Sequence, residues 1–202
     1  MIPEWFQQGG VAMYPLLLCS VVGVAIILER TWALRRSKIV APELEKMIEK
    51  MPASGDGREK LQSFSASDTT VLGELIRAIL SHANMAKNEN VEALQAIARQ
   101  SVGRLERGLT TLSIVAEISP LLGLLGTCSG MVKLFVDVSQ HGLGEPAQIS
   151  RGIFEALIAT VTGLSVAIPV LVAHMYLRRR IELLVLEMER YTNELLARLY
   201  HH

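Results

Sequence analysis

Charge of one sign is what this sequence lacks first: 20 Lys and Arg are offset by 20 Asp and Glu. No basic surface of the kind that follows a nucleic-acid backbone is expected, so nucleic acid is not a partner. Aromatic residues make up only 5% of the chain, yet half of it is apolar, which excludes disorder. The two cysteines, Cys19 and Cys128, both fall inside apolar runs. They read as small buried residues; neither a disulfide framework nor a metal centre is expected, and no cofactor. Lys and Arg are absent from residues 1–10, and Glu29 and Arg30 follow the first apolar run directly, features unlike a cleavable leader.

What is present is hydrophobic length. VAMYPLLLCSVVGVAIIL, from Val11 to Leu28, is uncharged; so is Ile118 to Val132, and Ala156 to Tyr176 apart from His174. Each run approaches the length a bilayer core requires. The fold class expected is an all-α integral membrane protein with three transmembrane helices. Arg30, Arg35, Arg36 and Lys38 follow the first run, Arg99, Arg104 and Arg107 precede the second, and Arg178, Arg179 and Arg180 follow the third. Between the second and third, only Lys133 and Arg151 are basic. The bias of basic residues toward the cytoplasm then gives a periplasmic segment 1–10, spans 11–29, 111–136 and 153–177, a cytoplasmic helical region 30–110, a periplasmic loop 137–152, and a cytoplasmic helix 178–202.

Residues 51–67, containing PASGDGREKLQSFSAS, collect Pro, Gly, Ser and charge and read as a loop. Val91, Leu94, Ala98, Val102, Leu105, Leu109 and Leu112 keep helical spacing and predict one helix running unbroken into the second span. Ile181, Leu184, Met188, Tyr191, Leu195 and Leu199 form a similar stripe beyond the third. Two membrane helices are thus expected to extend into a cytoplasmic bundle, whose stripes suit packing within one chain or between subunits. No function attaches to His201 and His202.

Two narrow faces stand out. Ala116, Pro120, Gly123, Thr127 and Gly130 align on the second span, and Gly152, Ala156, Thr160, Gly163 and Ala167 on the third. Small residues commonly let membrane helices approach one another, which accounts for either stripe alone. Two matching stripes, each with one threonine, also suit the lining of a narrow polar path facing an acidic side chain on a partner helix. Pro120 interrupts the hydrogen-bond ladder nearby. Glu155 stands at the outer end of the third span, beside the Thr160 stripe, and Glu117 at the inner end of the second; Lys133 and Asp137 are spaced to pair. Cys128 and Ser129 lie off the line and read as packing residues.

SPLLGLLGTCSGM in the second span and GIFEALIATVTGL in the third resemble the two signature segments of the MotA/TolQ/ExbB proton-channel family, most closely its ExbB/TolQ branch. The resemblance implies a subunit of an ion-driven motor in the bacterial inner membrane. It implies a homopentamer around an ExbD/TolR-like single-span protein with an intramembrane aspartate, working on a TonB/TolA-like periplasmic partner. By motif position it places Thr127, Thr160 and Glu155 on the ion pathway, and Pro120, Gly123, Gly130, Ala156, Gly163 and Ala167 fit a lining that faces the partner helix. Ser119 and Cys128 replace the alanine and valine common in the family, and the added hydroxyl leaves proton and sodium ion both open. A passive membrane scaffold is the alternative function. Enzymatic activity is not expected: GLLGTCSG lacks the lysine of a phosphate loop and lies within a span rather than after a strand.

Overall fold

A computed structural model describes residues 9–51, 57–142 and 146–200, with side chains at 141 and 146–148 excepted. Every regular element among them is a helix: α1 (Met13–Ala33), α2 (Arg36–Ile39), α3 (Pro42–Lys50), α4 (Arg58–Ser67), α5 (Val71–Ser81), α6 (Lys87–Glu106), α7 (Leu109–His141) and α8 (Pro146–Leu199). Among the described residues three stretches of helix are long and apolar enough to cross a membrane, in Met13–Ala33, Lys87–Gln140 and Ile149–Leu199. The chain divides into two compact units, residues 1–29 with 108–176, and 30–107 with 177–202.

In the first unit, α1, α7 and α8 pack with backbones close together. A Cβ on Gly23 of α1 would meet Val170 of α8 at 2.9 Å and Val115 of α7 at 3.6 Å. One on Gly126 of α7 would meet Ala159 of α8 at 2.5 Å and Ala12 at 3.1 Å. Contacts between α7 and α8 run in opposite numerical order, Gly123 with Gly163, Gly130 with Ala156 and Leu134 with Gly152, so these helices are antiparallel. Leucine and valine side chains on the outward faces remain exposed, as expected of surface in contact with lipid.

The second unit is built around α5. Its Leu72, Ile76 and Ile79 are fully buried and Leu75 and Leu80 nearly so, giving a helix apolar around most of its circumference. Thr70 caps its start, the hydroxyl accepting from the Gly73 amide at 3.2 Å, while Thr70 itself donates to Asp68. The helix α3 turns Leu44 and Ile48 inward, and the last part of α8 contributes Ile181, Leu184, Met188, Tyr191 and Leu195, the predicted stripe except for its half-buried last member, Leu199. Three side chains fasten elements together. Arg36 bridges Glu45 of α3, at 2.9 Å, and Glu187 of α8. Buried Asn90 donates to the Ile79 carbonyl and to the Tyr200 hydroxyl, both at 3.0 Å. Arg198 holds the carbonyls of Glu49 and Met51 at the end of α3.

Two expectations about this region are corrected. Residues 58–67 are helical rather than looped: Ser63, Ser65 and Ser67 donate to carbonyls three residues back, and Leu61 is buried. That arrangement satisfies the hydroxyls that otherwise compete with helix. The stripe beginning at Val91 is not one unbroken helix into the second span, because Gly108 takes φ +85° between α6 and α7. Apolar spacing continues through that turn, which hid it. Helix also reaches into residues 137–152 from both sides, α7 to His141 and α8 from Pro146. Residues 1–8 of the N-terminal segment, and His201 and His202, lie outside the described residues.

Candidate functional site

The two small-residue faces meet each other within the chain. A Cβ on Gly123 would stand 3.0 Å from the Ala159 carbonyl oxygen and 3.1 Å from Thr160 Cα. One on Gly163 would stand 2.6 Å from the Ser119 carbonyl oxygen and 3.1 Å from Gly123 Cα, and one on Gly130 3.2 Å from Ala156 Cβ. Gly123, Gly130, Ala156, Gly163 and Ala167 are accordingly buried. Gly123, Gly130, Ala156 and Gly163 lie in the contact between the chain's own α7 and α8. Close packing, which either stripe alone permitted, is what these residues do here.

Around each helix, register separates three adjacent lines of residues. On α7, Val115, Gly126 and Lys133 lie on the line toward α1; Ala116, Ser119, Gly123 and Gly130 form the seam with α8; Pro120 and Thr127 lie on the far edge. On α8, Glu155, Ile158 and Thr162 lie toward α1, Ala156, Ala159 and Gly163 form the seam, and Thr160 lies on the far edge. Pro120, Thr127 and Thr160 thus flank the seam on the side away from α1, each half-buried.

The polar chemistry of that edge is specific. Thr160 Oγ1 donates across the seam to the Gly123 carbonyl at 3.3 Å. In a regular helix the same carbonyl receives the amide of Thr127, so the two threonines converge on one peptide unit. Thr127 Oγ1 turns back to the Leu124 carbonyl of its own helix at 2.7 Å. Each hydroxyl, while donating, keeps lone pairs able to accept a further proton donor. Below them Ser119, fully buried, donates to the Val115 carbonyl at 2.6 Å, one residue from the Ala116 carbonyl that Pro120 leaves without its usual helical donor. Sequence reasoning gave Ser119 no structural part and passed over Gly126 and Ala159. The Gly126-to-Gly130 spacing of four, a close-packing signature, was the available signal.

Glu155 lies on the other side of the seam, toward α1. Its carboxylate is 3.7 Å from Lys133 Nζ, and a Cβ on Gly10, whose φ is +69°, would meet its Oε1 at 2.5 Å. Lys133 thus makes an ion pair across helices. Glu155, Lys133, Ser129 and the start of α1 border an open cleft of about 290 Å³. Glu155 is therefore not on the threonine edge, and Thr127 and Thr160 are brought together without it. Cys128 and Ser129 are exposed rather than packed. Glu117, near the other end of α7, accepts from Ser113 at 3.0 Å and is exposed.

No group of three or more His, Cys, Asp or Glu side chains able to hold a metal occurs among the described residues.

Residues 67–190 match the family model described as the MotA/TolQ/ExbB proton channel family. The match takes in α5, α6, α7 and all of α8 that bears on the seam. A putative biopolymer transport protein ExbB-like 1 of Synechocystis is 30% identical over 171 residues, covering 81% of this chain and 65% of that protein. A putative biopolymer transport protein ExbB homolog of Methanothermobacter thermautotrophicus is 28% identical over 180 residues, covering 89% and 63%. The biopolymer transport protein ExbB of Neisseria meningitidis is 27% identical over 197 residues, covering 91% and 88%. The chain thus spans just under two thirds of the length of the first two and most of the third.

Proposed function

Because the chain belongs to the MotA/TolQ/ExbB proton channel family, we propose that it works as an ExbB-like subunit of an ion-driven transport motor. The observation that carries this reading is the pair of threonines on one edge of the uncharged α7–α8 seam, with Thr160 bonded to the Gly123 carbonyl. The uncharged runs Ile118 to Val132 and Ala156 to Tyr176 supply no carboxylate at that depth. The ion-carrying acid then comes from another chain, an ExbD/TolR-like single-span protein with an aspartate in its membrane helix.

The chemistry follows from the hydroxyls. A protonated aspartate donates to a threonine oxygen while Thr160 keeps its bond to the Gly123 carbonyl. A deprotonated one needs a donor, which Thr160 supplies only by leaving that carbonyl. Protonation state and position of the partner helix are thereby coupled. One elementary charge crossing about 100 mV releases roughly 2.3 kcal/mol, several times thermal energy and enough to bias the partner between neighbouring positions. The ion is a proton in this reading, with sodium as the alternative outcome. The assembly is a pentamer in the bacterial inner membrane, its N-terminus periplasmic and C-terminus cytoplasmic, transmitting work to a TonB/TolA-like protein. Glu155 with Lys133 forms a polar mouth beside α1, reached from the edge only past the seam.

The test is ion flux in vesicles holding this chain with its single-span partner. Thr127→Val with Thr160→Val should leave the complex assembled and reduce potential-driven flux at least tenfold. Flux equal to that of the parent would refute the threonine edge. A complex that conducts no ion even as the parent protein would favour the scaffold, a role for which the backbone-close seam already suffices. Measuring the parent with proton-selective and sodium-selective dyes in turn assigns the ion.

A further inference from the structure

In the second unit, the end of α1 and the middle of α8 bring basic side chains to one place. Arg180 Nε donates to the Leu34 carbonyl at 2.8 Å, which ties the Arg178–Arg180 run to the junction between α1 and α2. Arg35, Arg36 and Lys38 follow α1 in the chain, and Arg178 and Arg179 precede Arg180 on α8. Glu45, Glu187 and Glu182 pair with members of these runs. Glu45 and Glu187 are both taken by Arg36. Glu182 is shared between Arg178, at 3.5 Å, and Arg179, at 3.2 Å. The side chains of Arg35 and Lys38 are exposed.

Lys38 is held in an unusual way. Its Nζ stands 2.9 Å over the centroid of the Trp32 ring, and Trp32 is itself 59% exposed. The ring holds the ammonium by its electrostatic face and leaves the far side of the nitrogen available to an anion. Trp32 is in the last turn of α1, one turn beyond exposed Leu28 on the same helix face. An indole at that position belongs at the level of lipid headgroups, where its apolar body and polar N–H are both satisfied. The cations therefore stand where a membrane helix leaves the hydrocarbon. A soluble anion has no use for the exposed Trp32 indole, whereas a phospholipid meets both the indole and, through its phosphate, Lys38 and Arg35.

We propose that Trp32, Arg35 and Lys38, supported by the Arg178–Arg180 run, form a binding site for the headgroup of an anionic phospholipid. The proposal does not depend on which leaflet this end of α1 occupies or on ion flow. Polybasic contacts of this kind strengthen anionic lipid binding about five-fold per cation at the surface. Position of the tryptophan makes the site directly measurable, since the chain has two, Trp5 and Trp32.

The experiment uses the full chain carrying Trp5→Phe in vesicles of phosphatidylcholine doped with brominated lipid, which quenches nearby indole. Brominated phosphatidylglycerol should quench Trp32 at a several-fold lower mole fraction than brominated phosphatidylcholine. Arg35→Gln with Lys38→Gln should bring the two lipids to equal quenching, and Arg35→Lys with Lys38→Arg should retain the preference, which separates charge from loss of fold. Equal quenching by the two lipids in the parent would overturn the proposal, as would a preference unaltered in the double Gln variant. Abolition of the preference by millimolar inorganic phosphate would also overturn it, identifying a site for free phosphate rather than for lipid.

Discussion

Replacing Gly163 with alanine tests the seam at its tightest point. The new methyl carbon would lie 2.6 Å from the Ser119 carbonyl oxygen, with Gly123 Cα at 3.1 Å and Gly123 N at 3.2 Å. Ordinary carbon–oxygen contacts are about 3.3 Å or longer, so α7 and α8 must separate by about 0.7 Å locally. All three obstacles are backbone and none can rotate away. A gap of that size forfeits a quarter to a half of the dispersion energy of each contact it opens, and overpacking of this kind costs about 1–3 kcal/mol. The Thr160 bond to Gly123, already at 3.3 Å, would be lost with it. Gly103 supplies the control: it is inside α6, exposed, with nothing within 4 Å of a Cβ. There the same substitution removes only the glycine penalty in a helix and should stabilise by about 0.5–1 kcal/mol. Thermal unfolding in detergent, followed by circular dichroism, should move down by several degrees for Gly163→Ala and slightly up for Gly103→Ala. Shifts of the same sign, or a Gly163→Ala protein as stable as the parent, would refute the backbone-contact reasoning.

Other perturbations probe other parts. Desolvation, reinforced by the hydrogen bond to Glu45, pushes the Tyr191 hydroxyl up to about 12, while that hydrogen bond and Arg36 hold the Glu45 carboxyl below its ordinary range. A raised group favours folding below its ordinary value of 10.0 and loses that contribution as pH climbs through about 12. The lowered carboxyl acts oppositely, its contribution being present above 4.5 and lost as pH falls through its folded-state value. Absorbance near 295 nm should show a tyrosine ionising near pH 12 that Tyr191→Phe removes, at a cost of about 1.5 kcal/mol in urea unfolding; a parent titration that Tyr191→Phe leaves unchanged in that range would count against the pairing. Gly108→Ala forces a side chain into φ +85° and should destabilise by about 1 kcal/mol, whereas Gly108→Asn should recover part of the loss; equal stabilities would mean that the turn is not maintained. Glu155→Gln, by removing the charge partner of Lys133, should lower ion flux more than Glu117→Gln, whose parent side chain is exposed and bonded to Ser113; equal or inverted effects would displace the proposed mouth.

Hydropathy made the three spans legible, because a bilayer demands uninterrupted apolar length and little else in the chain provides it. The late stripe of α8 was legible for a similar reason: Ile181 through Leu195 repeat at helical spacing beside charged residues that must stay outside. The break at Gly108 was not, since Leu105, Leu109 and Leu112 keep their spacing through a turn that only the sign of one φ reveals. Helix α4 was missed because serine and glycine signal loops by composition, and its serines find their acceptors only once the helix exists. The small-residue faces were found but their occupant was not. A groove of glycine and alanine has the same sequence whether its own neighbour or a foreign helix fills it, and Gly163 against the Ser119 carbonyl gives the occupant here.

That last contact limits how the seam can be altered. When two side chains collide, shortening either one relieves the clash, so a damaging substitution usually has a remedy at the residue it strikes. The Ser119 carbonyl belongs to the main chain and is present whatever residue occupies position 119. Suppressors of Gly163→Ala should therefore be missing at position 119 and arise elsewhere, at residues that tilt or shift a whole helix. Variation in the membrane unit is then free on its lipid-facing leucines and closed along the one line where peptide touches peptide.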